Sequence, residues 1–590
     1  THEGIEDVEE RSRGPRTLRS GRELRNVTWE ISDLHVALMM STVDSVTKEV
    51  EPITFKEAWW HENLQSRNKW RNAIRLEFSN MNKRIVWLRM LRAMKPEGKT
   101  LVKCKWVFKI KRNGTFRARL VACGYSQVLG VDYTENYSPV INDVTFRIML
   151  TIMMIKGWTS IIIDIETAFL EGDLDEEIYM NIPEGYYEVF KNQDNGKESI
   201  LKLLKPLYGL VQAARLFWKK MVSILTKELN FKAGKVDPCL LTRSNERGTV
   251  MIALYVDDCL CIGNKEALET LENELNEAGL KTTVETKLTD YLSCEININE
   301  NSTKGTLRQP HLIKNLESKF GKEVENMQRY QTPGTPGKGV VRPEKETDKI
   351  NPEEQKKFRS GVGMLLYLVK HSRPDIANAV RELSKSMDGA TLAGMKELRR
   401  VIKYVLDTKM YGLKLEPERE KEMWKLIAYT DSDWAGDKET RISVSGYILY
   451  FVGVPIAWRS KAQTNVTLSS SEAEYVSLSE CVRDVRFVMQ LLTELELKFP
   501  KPVVIKIDNV GAMFMSENIS SSTRTRHVDI RLKFVNEFIE EGEITVVFVK
   551  SEENDSDVFT KNTRGEVHEK LTDRFMSKKS DDGEQVQEGC

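Results

Sequence analysis

The sequence predicts an α+β protein of several domains, and three observations carry that reading. At 590 residues the chain is too long for one hydrophobic core. Helix-like apolar spacing and strand-like alternation occupy different stretches, with no repeat at a solenoid period. Acidic residues recur at the ends of apolar strand-like runs in two separate regions, which points to two sites rather than one. Apolar residues at 40% and charged residues at 30% are ordinary for a globular chain. The longest apolar runs, such as Met251 to Val256, fall far short of the roughly 18 residues of a membrane span. No charged-then-apolar leader opens the chain, so neither a membrane anchor nor secretion is expected. Because the sequence opens on Thr1 and not Met, either a fragment or a piece cut from a larger translation product is expected.

Residues 1 to about 50 are charged without an apolar period and read as a tail or linker. From Phe55 to about Leu91 an apolar and aromatic pattern that includes Trp59 and Trp60 and steps by four and three through Trp70, Ile74, Phe78 and Met81 predicts helix. From Leu101 the pattern alternates through KCKWVFKIKRNGTFRARLVACGY, a two-stranded ribbon turning at Asn113 and Gly114. Thr332 to Asn351 is rich in Gly, Pro and charge and reads as a linker, and a helical segment follows to about Leu406. Leu365, Leu366, Leu368, Ile402, Val405 and Leu406 form apolar stripes expected in a core. From Lys425 an alternating β and α region runs to about Lys561, and a charged tail closes the chain.

Formal net charge is zero, with 88 basic and 88 acidic residues, but the charges are segregated. Arg67 to Tyr125 holds seventeen Lys or Arg against Glu77 and Glu97, whereas Asp164 to Phe190 holds nine acids and no Lys or Arg. The basic stretch interleaves Trp70, Trp87, Trp106 and Phe108, a mixture suited to phosphates and stacked bases, or equally a solvated helix face. The eight cysteines form no C-x-x-C pair and have no His at zinc spacing, so they read as reduced, mostly buried thiols of an intracellular protein.

The first acidic set begins in TSIIIDIETAFLEGD, where an apolar strand runs into Asp164. Its counterpart is VMIALYVDDCLCIG, a hairpin with Asp257 and Asp258 at its tip. Adjacent extended residues face opposite ways, so one of the two is expected to share a face with Asp164, and Asp257 is the choice. Like charges that close demand a cation, and magnesium takes carboxylate and phosphate oxygens. A pair of such ions can activate an attacking oxygen and stabilise a leaving one.

The second set comprises Asp431 after the strand in KLIAYTDSDWAGD, Glu474 in TLSSSEAEYVSLSE, Asp508 ending VVIKID, and Asp557 in SEENDSDVFTK. Strand ends are where α/β folds present catalytic groups. Ser471 with Glu474 also fits a helix capping box, and Asp508 with Asn509 an ordinary turn. His527 stands as a secondary candidate for substrate contact, or as a packing histidine.

YVDD, IIIDIETAFLEGDLDEEIYMNIPEGY, LKLLKPLYGLVQAARLFW and CKWVFKI…ARLVACGYSQ…DYTENYSPV together resemble the reverse transcriptase of copia-type LTR retrotransposons, in order and spacing. TDSDWAGD, SGYILYFVG, AWRSKAQ, SSSEAEY, TRHVDIR and DVFTK resemble the ribonuclease H of the same family. The resemblance implies a right-hand polymerase with fingers, ferredoxin-like palm and thumb over 51–335, a helical connection over 336–420, and an α/β ribonuclease H-like domain over 421–565. Residues 566–590 would be a charged tail. It implies Asp164, Asp257 and Asp258 as the polymerase triad, with Asp431, Glu474, Asp508 and Asp557 as the nuclease tetrad. Both would be catalytic metal ligands, each set taking two magnesium ions, with manganese able to substitute.

Phe169 would exclude a ribose 2′-hydroxyl, Tyr208 and Gly209 would face template and incoming base, and Arg119 would grip the triphosphate. The implied partners are an RNA template, a DNA primer, RNA–DNA hybrid and deoxynucleoside triphosphates, in a cytoplasmic particle or the nucleus. Cys123 and Val211 stand where relatives often carry Lys, and Ala214 where they carry Pro. The ribbon between Gly114 and Arg119 is also a few residues short. Lost cations weaken a grip on phosphate, so the competing expectation is a catalytically decayed copy acting as a nucleic-acid-binding or interaction protein.

Overall fold

The computed structural model describes residues 50–578 except 111–113, 167, 191–197, 289–290, 341, 420–423 and 518–525. Outside that span it describes Arg16–Thr17 and Glu23–Leu24, which pair antiparallel. The chain divides into two compact units, Thr1–Val43 and Asp44–Cys590, and everything below concerns the second. Most of the expected N-terminal tail, Asn113 of the expected turn and the side chain of His527 lie outside the described residues.

Helix α1, Leu64–Lys83, starts on the side chain of Asn63, which accepts from the Ser66 N–H. Strands β1, Cys104–Ile110, and β2, Phe116–Ala122, pair antiparallel from Ile110 opposite Phe116 to Cys104 opposite Ala122. Alternation sends Trp106 and Phe108 to one face, where they pack with Trp70 and Phe78, while Lys105, Val107 and Lys109 face outward. The aromatics set among the cations are therefore core and not a stacking surface: Trp70, Trp87, Trp106 and Phe108 are only 1%, 8%, 6% and 6% exposed.

The predicted helix to Leu91 also ends early. Ile85 takes a left-handed φ of 51°, and Trp87–Leu91 becomes a strand paired with Ser199–Leu203. Cross-strand pairing there overrides the helical spacing, whose last matching residue, Met81, lies in α1.

Helix α2, Asp143–Lys156, is capped by Asn142 and ended by Gly157 in the left-handed region. Ten consecutive residues, Thr145 to Met154, are buried, as expected of a helix covered on all sides. On one side lies a six-stranded antiparallel sheet containing β3 (Thr159–Ile165), β4 (Gly248–Tyr255) and β5 (Asp258–Gly263). Its order is Thr282–Glu285, β3, β5, β4, Leu240–Asn245, Lys232–Ala233. On the other side lies a five-stranded sheet further along the chain.

That second sheet contains β6 (Leu426–Asp433), β7 (Val444–Phe451), β8 (Val454–Ala462), β9 (Val503–Ile507) and β10 (Ile544–Phe548). Its order is β8, β7, β6, β9, β10, antiparallel in the first two pairings and parallel in the last two. Helix Ser470–Glu494 covers β6 and β7. Arg147 joins the two halves: its guanidinium donates to the carbonyls of Ile456 and Lys370 and lies 4.0 Å from the Trp458 ring centre. Bonding carbonyls on β8 and on helix α3, Pro352–His371, one side chain ties three segments together.

A four-stranded sheet of Glu295–Ile298, Gly305–Arg308, Gly412–Leu415 and Met576–Ser577 mixes three segments that sequence reading had kept apart. The expected tail therefore begins too early at 566. Gly565–Thr572 is helical, and His568, Leu571 and Phe575 are buried. Their spacing of three and four is a short amphipathic pattern masked by surrounding charge. Among the described residues no helix is long and apolar enough to cross a membrane.

Candidate functional sites

The first site is built on a hairpin. Tyr255 pairs with Asp258, leaving Val256 and Asp257 as a two-residue loop between β4 and β5. Val256 has φ +54°, a strained value for a β-branched residue. Asp257 is thus a loop residue, and strand alternation does not govern where it points. Across the sheet Asp258 lies directly opposite Asp164, so the register places Asp258, not Asp257, on the same face as Asp164. Asp257 still interacts with Asp164: burial raises its pKa, its own backbone hydrogen bond lowers it, Asp164 raises it further, and Arg119 and Arg117 oppose the rise.

The candidate nucleotide contacts gather beside these acids. The Arg119 guanidinium lies 4.8 Å from the Tyr208 ring centre, and Phe169 meets Tyr208 edge-on at 4.7 Å. Arg119 Nε is buried without a hydrogen-bond partner. The Tyr208 carbonyl accepts from the Ala122 N–H at 2.8 Å, joining this loop to β2. Gly209 has φ +85°, and a Cβ there would overlap the Ala122 carbonyl and Val121. Only glycine fits that approach. Arg117, two residues before Arg119 on β2, faces the same acids and was missed from sequence because it sat within a general basic run.

The second site is more closed. Among the described residues, one group of three or more His, Cys, Asp or Glu brings ligand atoms within 4.8 Å of one another: Asp431, Glu474 and Asp508. The first set does not converge as tightly. Asp431 stands near the end of β6, Asp508 directly follows β9, and Glu474 lies in the first turns of helix Ser470–Glu494. The capping box falls two residues earlier than predicted. Ser469 accepts from the Glu472 N–H, and Glu472 accepts from the Leu468 N–H, so Glu474 takes no part in the cap.

Asp557 opens the short helix Asp557–Thr560, one turn of which brings Thr560 and Lys561 to the cluster. The Thr560 hydroxyl donates to Asp431, and Lys561 Nζ lies 3.0 Å from Asp557 and 3.8 Å from Asp431. Ser551 donates to Asp508 at 2.6 Å.

Electrostatics mark this cluster as under-neutralised. Burial, reinforced by Asp431 and Asp508, pushes Glu474 up to about 10. Burial, with Asp431, pushes Asp557 up to about 7 against the pull of Lys561, and Asp431 is raised by its own burial. Glu474 Oε2 and Asp557 Oδ1 are buried with no hydrogen-bond partner. Orphaned carboxylate oxygens converging with like charges are the donor set a hard divalent cation satisfies, so these residues fit such an ion. Thr560 and Lys561 were missed, although their positions three and four after Asp557 could have placed them on its side of a helical turn.

Residues 90–333 match the family described as reverse transcriptase (RNA-dependent DNA polymerase). The retrovirus-related Pol polyprotein from transposon RE1 of Arabidopsis thaliana is 32% identical over 522 residues, 88% of this chain and 34% of that protein. The Pol polyprotein from transposon TNT 1-94 of Nicotiana tabacum is 31% identical over 533 residues, 88% of this chain and 38% of that protein. A solved foamy viral protease-reverse transcriptase in complex with double-stranded DNA covers 82% of this chain and 70% of its own, at 12% identity and TM-score 0.43. The chain carries a reverse transcriptase domain. It belongs to the copia-type retrovirus-related Pol polyproteins and spans about a third of the length of these two relatives.

Proposed function

We propose that the chain is an RNA-directed DNA polymerase over 51–335 joined, through a connection over 336–420, to a ribonuclease H over 421–565 that acts on RNA–DNA hybrids. The observation that carries this reading is the presence of two separate acidic centres, each beside cationic side chains, in a chain of this family. At the first centre a primer 3′-hydroxyl attacks the α-phosphate of a deoxynucleoside triphosphate, and pyrophosphate leaves. Asp164, Asp257 and Asp258 would hold divalent cations there, and Arg117 and Arg119, which act on Asp257, would meet the triphosphate. Phe169, held edge-on by Tyr208, limits the space beside the sugar. At the second centre Asp431, Glu474, Asp508 and Asp557 would hold the cations, and water attacks the phosphorus of an RNA linkage while the ribose oxygen on its far side leaves. Magnesium, when bound, supplies Lewis-acid stabilisation of the charge that develops on the phosphorus oxygens.

The test is primer extension and hybrid cleavage by the parent, Asp257→Asn and Asp431→Asn in magnesium. Loss of extension only in the first variant, and of cleavage only in the second, supports the reading. A parent that binds hybrid but does neither reaction supports a decayed, nucleic-acid-binding copy.

A further inference from the structure

The second acidic centre is gripped from outside its own sheet. Asn562 directly follows Lys561, whose Nζ lies 3.0 Å from Asp557 and 3.8 Å from Asp431. Both ends of the Asn562 amide, and its main-chain carbonyl, are engaged by an earlier part of the chain. Its Oδ1 accepts from the Asn378 side-chain amide at 2.9 Å, its Nδ2 donates to the Lys338 carbonyl at 2.8 Å, and its carbonyl accepts from the Gly337 N–H at 3.1 Å. Asn378, on helix Ala377–Ser384, is itself held, since its Oδ1 accepts from Arg381 Nη2 at 2.7 Å. A flipped Asn562 amide would set donor against donor and oxygen against oxygen, so the network admits one orientation.

Two of these partners come from the Gly- and Pro-rich run expected to be a linker. That run is packed and not a free tether: Thr332, Pro333 and Gly334 are buried. Arg400 Nη2 donates to the Thr332 carbonyl and hydroxyl at 3.2 and 3.1 Å, and Thr335 donates to Glu397 at 2.8 Å, both partners lying on helix Leu392–Asp407. A Cβ on Gly334 would lie 2.5 Å from Asn562 Oδ1, so glycine is what lets the run close over the asparagine. The same earlier segment reaches the nuclease-side sheet at a second point, where Lys385 Nζ and Arg342 Nη1 lie 3.1 and 3.4 Å from Asp437 in the loop after β6.

Fixing Asn562 fixes the residue before it. Lys561 ends the short helix with an extended backbone, φ −138° and ψ 154°. The helix holds its N–H, bonded to the Asp557 carbonyl at 3.2 Å, but not the direction in which the chain leaves. We infer that Asn562 is a positioning residue of the second centre: clamped by Gly337, Lys338 and Asn378, it holds the Lys561 ammonium against Asp557 and Asp431, which makes the run at 334–338 part of that centre. The inference rests on the proposed cation site only for the second of the two measurements that test it.

Both measurements use the full chain. Asn562→Ser removes the side-chain clamp, and a crystal structure of that variant is expected to place Lys561 Nζ beyond about 4 Å, the limit of an ion pair, from at least one of the two carboxylates. Magnesium titrated calorimetrically is expected to bind Asn562→Ser about threefold more tightly than the parent, and the double variant with Lys561→Met no more tightly than Lys561→Met alone. A merely structural asparagine would lower the melting temperature in both backgrounds and leave magnesium affinity unchanged in each. Gly334→Ala, whose added carbon displaces the Asn562 amide, is expected to give the same two results and decides alone if Asn562→Ser does not fold. Lys561 left within reach of both carboxylates, a magnesium affinity equal to the parent's, or a gain that persists in the Lys561→Met background each overturns the inference. A parent that takes up no magnesium breaks the proposed cation site instead, and the position of Lys561 in the variant then judges the inference.

Discussion

The two acidic centres solve the same electrostatic problem in opposite ways. At the first, Asp164 is exposed at a strand end and the neighbouring cations, Arg117 and Arg119, come from a separate ribbon. At the second, Asp431, Glu474 and Asp557 are all buried, and the compensating hydroxyl and lysine come from the last residue of the short helix that Asp557 opens and from the residue after it. Exposed carboxylates can wait in water for charge to arrive with a substrate. Buried ones must be answered at once by protons, a lysine or a metal. The first centre is thus expected to assemble around its substrate, and the second to be assembled beforehand.

The largest effect should come from breaking each centre alone. Asp431→Asn is expected to cut hybrid cleavage by about 1,000-fold, equivalent to about 4 kcal/mol, with primer extension nearly intact. Asp257→Asn should do the reverse. A variant that removes both activities would show the centres to be one functional unit and end the comparison.

Acid should separate the regions next. Asp557 sits on a helix whose Phe559 packs on Phe575, 5.8 Å away, and the following helix, Gly565–Thr572, is anchored by buried His568. Burial lowers His568 from its ordinary value of 6.5 to about 4. Folded His568 resists a proton that the unfolded chain accepts, so its stabilising contribution is complete above about pH 6.5 and shrinks as pH falls toward 4. The loss approaches about 3 kcal/mol. Hydrogen exchange at pH 7.5 and 5 should show residues 557–577 losing protection before β3 and β5, and His568→Gln should flatten that difference. Equal loss in both regions would remove the asymmetry.

At the first centre, Gly209→Ala should cost about 2 kcal/mol, because a side chain is forced into left-handed backbone and against β2. Denaturant melts would show the loss, and extension should fall while hybrid cleavage persists. A neutral Gly209→Ala would mean that the loop carrying Tyr208 is not held against β2.

Legibility followed the same divide. The strands leading into Asp164, Asp431 and Asp508 were readable because apolar runs stopped at an acid. The face Asp257 takes was not, since that depends on Val256 adopting positive φ, which a β-branched residue gives no reason to expect. Glu474 was legible as an acid near a helix start, but the cap belongs to Ser469, a distinction that needs backbone geometry. The aromatic residues among the cations were misread because composition cannot say which face of β1 meets α1. The small sheet joining residues 295–308, 412–415 and 576–577 was invisible, since no local pattern reports pairing partners so far apart.

Magnesium itself gives a finer test. With cation at about ten times its dissociation constant, the melting free energy should rise by about 1 to 2 kcal/mol without any substrate, through the second centre alone. Glu474→Gln should abolish the rise and Asp257→Asn should leave it. If Asp257→Asn abolishes it instead, the first centre is the preassembled one and the contrast is inverted.

The smallest expected effect concerns Lys561. Its ammonium lies against Asp557 and Asp431, so it already offsets part of the charge that a divalent ion would neutralise. It is 43% exposed, which keeps its contribution near that of a surface pair, about 1 kcal/mol. Lys561→Met should therefore lower the melting temperature of the metal-free chain slightly and tighten magnesium binding about fivefold, because the carboxylates then lack another cation. Calorimetric titration of magnesium into parent and variant reads both effects. Weaker binding in Lys561→Met would mean that the lysine orients the carboxylates for the ion rather than competing with it, and the second centre would then depend on Lys561 for its shape as well as its charge.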